Sequence, residues 1–133
     1  MTNGGYLSKE AILAAELAFE DVAVPEWGGT VRVREMTAAE REQFAQTYAR
    51  RDKAAEEGRE FSIQGALVAM CVVDANGARL FSDDEVAVLA LKSGVAIDRI
   101  YDVAYKLSKI GSGATDEIAK NSVPSTSADS VSG

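Results

Sequence analysis

Phe19-Glu-Asp-Val-Ala-Val-Pro-Glu-Trp-Gly-Gly-Thr-Val-Arg-Val-Arg-Glu-Met36, running directly into Thr37-Ala-Ala-Glu40, decides how this chain is read. Phe19 to Val24 and Thr30 to Met36 alternate in the manner of strands. Val31 and Val33 then share one face, with Arg32 and Arg34 on the other. Pro25 suits a strand end, where no ladder donor is needed, and Gly28 and Gly29 offer positive φ for the return. The spacing predicts a β-hairpin over 18–36 with a loop of about five residues. Thr37 and Glu40 form a capping box that starts a helix at once.

Outward from the hairpin, the pattern is helical. Ser8 can cap a short helix to Leu17, with Ile12, Leu13 and Leu17 toward one face. The Thr37 helix is expected to reach Glu57 and stop at Gly58. Its second half, Arg50 to Glu57, is charged on nearly every face, as a solvated helix end or a projecting arm would be. Ser62 can cap a helix through Val73 that is apolar nearly all round, the expected core helix. Ser82-Asp-Asp-Glu85 is a second capping box, for a helix ending near Ser93-Gly94. Ile97, Ile100, Tyr101, Ala104, Leu107 and Gly111 give a last helix from about Val95 to Ile110 its buried face. The fold class expected is α+β, mainly α: the small N-terminal hairpin, about four helices, and one domain over 1–110. Residues 111–133 are rich in Ser and Gly with scattered aliphatics, so a flexible tail is expected there, as at 1–5.

Composition narrows function. The 133 residues carry 14 basic and 21 acidic side chains, a net charge of −7. The charge is −3 over 1–36, −1 over 37–61, −1 over 62–111 and −2 beyond. No basic patch offers phosphates a site, which argues against nucleic acid as a partner. The chain has no histidine, so the commonest general base and metal ligand are missing. Cys71 is the only cysteine and sits in the apolar run Ala66 to Val73, where a thiol is inert. No run of about 20 apolar residues suggests a membrane span. A cytoplasmic, non-enzymatic protein without metal or cofactor is expected.

Two motifs are weaker than they look. Asp74-Ala-Asn-Gly77 starts like a calcium loop, and Glu85 is its twelfth residue. Its glycine stands fourth rather than sixth, and Ala78, Leu80 and Phe81 occupy ligand stretches, so a plain turn is expected. Asp83, Asp84 and Glu85 point in different directions from a helix start and read as caps. Trp27 differs from these, because a tryptophan between Pro25 and two glycines either packs back on the domain or is displayed to a partner. Arg32 and Arg34 are likewise a solvated face or contacts to an acidic groove.

Pro25-Glu-Trp-Gly-Gly29, the Val31-Arg-Val-Arg34 strand, the polar Glu40-Arg-Glu42 helix and the pattern Asp74, Gly77, Leu80, Phe81 follow in an order that resembles the tail assembly chaperones of long-tailed bacteriophages. The likeness covers roughly 16–110. It implies an assembly factor in the host cytoplasm that coats the tape measure protein, recruits tail tube subunits, and is absent from the finished virion. An acidic helical domain can shield an aggregation-prone helix, and several weak contacts along it add up. Self-association into rings or a spiral fits such a role. On this reading the partner-binding residues are Pro25, Glu26, Trp27, Gly28, Gly29, Arg32 and Arg34. Many such chaperones also have a frameshifted longer form. Ala119-Lys120-Asn121 permits a slippery A-AAA-AAC run in the gene. The rival expectation is a head–tail connector or tail completion protein retained in the virion.

Overall fold

The computed structural model describes residues 5–110. Of the flexible start expected over 1–5, residues 1–4 lie outside the described residues, as do Gly111 on the last helix, the tail and the slip-site residues. Helix α1 (Lys9–Ala14) precedes strand β1 (Phe19–Val24), which pairs antiparallel with β2 (Gly29–Arg34) in the register Val22 to Val31. Helices α2 (Ala38–Ala45), α3 (Thr47–Glu56) and α4 (Ile63–Cys71) follow. Next come β3 (Val72–Val73), the short α5 (Val86–Leu89) and α6 (Gly94–Leu107). Strand β3 joins β2 antiparallel, Val72 opposite Val33, and completes a three-stranded sheet of order β1-β2-β3. The α+β, mainly helical class expected of the chain is the one observed.

The core lies between one sheet face and the helices. Val22, Val24 and Val33 meet Leu67, Val68, Leu89, Ile97 and Ile100 in one buried cluster. Helix α4 is at its centre and packs against α2, α3, α5 and α6. Every residue from Gly65 to Cys71 is buried, which suits a helix apolar on all sides. Gly65 permits the close approach of α5. A Cβ there would sit 3.1 Å from the Val86 carbonyl oxygen and 3.2 Å from Val86 Cγ1.

Several boundaries differ from the sequence reading, each for a local reason. The 37–57 helix is broken at Gln46, beside the fully buried Thr47. The Thr47 hydroxyl donates to the Phe44 carbonyl at 2.6 Å, a side-chain bond that competes with the helical ladder. The helix expected through Val73 ends at Cys71, because the β-branched Val72 and Val73 leave it to pair with β2. The Ser82 box opens a 3-10 turn (Asp83–Glu85) before α5, and the next helix begins at Gly94 with Ser93 as cap. Helix α1 stops at Ala14, short of Leu17, and buries none of its residues. Ile12, Leu13 and Leu17 are all exposed.

Candidate functional site

The hairpin turn is built by three devices. Pro25, Glu26 and Trp27 form one 3-10 turn, with proline at its start where no amide is needed. Gly28 follows at φ 75°, and its N–H donates to the Pro25 carbonyl at 3.1 Å. That conformation costs a side chain dearly and glycine little. Gly29 is not part of the loop: it takes no positive φ, opens β2 and faces Val24. The turn is therefore four residues long, and only one of the two glycines supplies the left-handed step. Trp27 is 40% exposed at its outer end.

A clamp from far along the chain fixes this turn. Arg99 on α6 donates twice to the Glu26 carboxylate, at 2.7 and 2.9 Å. The guanidinium bonds hold Glu26 well below the usual carboxylate range, at about 2. Glu26 thus faces inward to α6 as an anchor, while its neighbour Trp27 remains partly open to solvent.

Arg32 and Arg34 are not brought to the turn. Arg32 lies on the second face of the sheet, gripping Asp21 at 2.8 and 3.1 Å and stacking over the Phe19 ring at 4.0 Å. This face opens into a cleft of about 370 Å³ that Leu17, Phe19, Arg32, Arg34 and Val73 line in part. Arg34 is buried, at 8% exposure. It donates to both oxygens of Glu40, at 2.8 and 3.0 Å, and to the Glu35 carbonyl at 2.8 Å. Glu40 Oε1 also accepts the Thr37 N–H at 2.9 Å, so the capping glutamate and the ion-pair partner are one residue. Burial alone would raise the Glu40 pKa; the Arg34 and Thr37 bonds outweigh it and carry it below the ordinary range.

The remaining candidates have structural explanations. Burial pushes the Cys71 thiol up to about 12, which leaves it protonated and unreactive. Asp74 Oδ1 accepts the N–H groups of Asn76 and Ala78, at 2.8 and 3.0 Å, in an Asx turn. Asp83 pairs with Arg79 at 3.0 Å, and Glu85 caps Ser82. Sequence reasoning missed Arg99 altogether, because nothing local ties it to a residue 73 positions away.

The model of a family described as "Phage tail assembly chaperone" matches residues 8–121. Among solved structures, that of the bacteriophage HK97 tail assembly chaperone aligns at a TM-score of 0.46 and 22% identity, over 71% of this chain and 90% of that one. Among curated proteins, none matches the chain.

Proposed function

The chain belongs to the phage tail assembly chaperone family, and from that premise we propose that it binds the tape measure protein and keeps it soluble during tail assembly. It helps recruit tail tube subunits and leaves before the virion is complete. The observation that carries this reading is the extent of the family match, which takes in every described element from α1 to α6. The role needs no chemistry of its own: the chain works by binding, in the host cytoplasm, with several copies along one long client.

The hairpin turn is its contact surface. Trp27 supplies the apolar area, and Pro25, Gly28 and Gly29 shape the turn that carries it. Glu26 holds that turn against α6, so little ordering remains to be done on binding. Arg32 and Arg34, held by Asp21 and Glu40, line the cleft on the sheet behind the turn and extend the contact surface there. A longer form arises by frameshifting at Ala119-Lys120-Asn121 and adds the contact to tube subunits.

Affinity purification from phage-producing cells, followed by mass spectrometry, tests this reading. The expected result is recovery of the tape measure and tube proteins, with peptides of a form diverging near Lys120. Trp27→Ala should lose the tape measure protein while the variant remains folded. Presence of the protein in purified virions, without those partners in the pull-down, would overturn the reading in favour of a structural connector.

A further inference from the structure

The sheet has two edges, and they are treated differently. At β3, Arg79 bridges back to Val73, and the Leu80 N–H donates to the Val72 carbonyl at 3.1 Å, so that edge is closed. At β1, no strand among the described residues lies outside. The hydrogen-bonding phase of that edge follows from one bond. The Glu35 N–H donates to the Ala18 carbonyl at 2.9 Å, which makes Ala18 an inward-bonded residue. Alternation along an antiparallel pair then directs Glu20, Val22 and Val24 to β2, and turns the main chains of Phe19, Asp21 and Ala23 outward. All three residues are exposed.

We propose that this outer edge of β1 takes an extended, basic segment of another protein as an added strand. Backbone complementarity sets the conformation of the occupant, since unpaired N–H and C=O groups in strand geometry are satisfied best by another strand. Charge sets its composition. Glu20 is exposed on the strand, without an ion-pair partner among the described residues. Asp21 is already held by Arg32, and Arg99 by Glu26. The edge therefore presents uncompensated negative charge to whatever lies beside it.

The same geometry disfavours a second copy. Full antiparallel pairing of β1 with its own twin would place Phe19 opposite Ala23 and Glu20 opposite Val22, which leaves the Glu20 carboxylate uncompensated. A lysine or arginine on the added strand next to Glu20 has the opposite effect. This inference is independent of the hairpin-turn reading, which concerns the far end of the same strands.

The test uses the full chain, ¹⁵N-labelled, with amide hydrogen exchange read residue by residue. In the free protein, Phe19, Asp21 and Ala23 should exchange faster than Glu20, Val22 and Val24. A short peptide alternating lysine and valine should protect the three fast amides, and one alternating glutamate and valine should not. Ala23→Pro removes one outward donor where an edge strand tolerates proline, and should abolish that protection. Glu20→Lys should weaken binding of the lysine peptide by about tenfold with the inward amides unchanged, which keeps the test open if the proline variant misfolds. Slow exchange of the outward amides in the free protein, protection that grows with protein concentration alone, or equal effects of both peptides would each overturn the proposal.

Discussion

Helices α1 and α4 start in the same way. Each is capped by a serine whose hydroxyl accepts the amide three residues on, Ala11 at 3.1 Å and Gly65 at 2.8 Å. Each then carries aliphatic side chains. Yet α4 buries seven consecutive residues, and α1 buries none. Capping and propensity specify that a helix can form; only packing makes it stable, because a helix this short is marginal in water on its own. Helix α4 gains that packing from neighbours on every side. Helix α1 precedes the sheet and leaves Ile12 and Leu13 in solvent.

The contrast can be broken most severely at Leu67, which is fully buried on α4. Leu67→Ala should lower the unfolding free energy by about 2–5 kcal/mol in a urea titration. A close second is the buried pair between the sheet and α2. Glu40→Ala strands the Arg34 guanidinium and removes a cap, and should cost about 3 kcal/mol by the same measurement. Glu40→Gln should recover part of the loss by keeping the Thr37 N–H bond.

Acid sharpens the comparison for the hairpin turn, which is exposed like α1 yet anchored like α4. Glu26 lies at about 2 in the fold against an ordinary 4.5. Its contribution is thus fully present above pH 4.5 and is lost as pH falls through that window toward 2. The Asp21 and Glu40 carboxylates are shifted downward as well, so their contributions have the same sign. Thermal melts should show Tm falling below pH 4.5, and Glu26→Gln should flatten that fall. The smallest effect belongs to α1. Leu13→Ser should change stability by no more than about 0.5 kcal/mol, and α1 amides should exchange orders faster than those of α4.

Much of this fold was legible in local sequence. The hairpin, both capping boxes, the all-apolar α4 and the face of α6 each follow from residues within one or two turns of one another. What escaped was non-local. Val72 and Val73 continue the apolar run of α4, and only β2, some forty positions back, pulls them out as a strand. The break at Gln46 needs Thr47 buried, which a polar residue in a charged stretch does not announce. At the candidate site, the turn itself was legible in Pro25 to Gly28, and the exposure of Trp27 was left open between two readings. Arg32 and Arg34 were correctly placed on one face of β2, but their partners Asp21 and Glu40 were not assigned. The Glu26–Arg99 clamp, which orients the whole turn, depends on how α6 crosses the sheet.

One small bond has a consequence in time. The Met36 N–H, two residues past the end of β2, donates to the buried Ser108 hydroxyl just after α6, at 3.0 Å and 72 positions apart. The segment leaving the hairpin and the end of the last described helix are thereby fastened together. A ribosome adding about 5–20 residues per second takes roughly 4–14 s to travel that distance. For that interval the nascent hairpin has no α6 to cover Val22, Val24 and Val33 and no arginine to hold Glu26. The domain cannot be finished from its beginning; it closes only when α6 has left the ribosome.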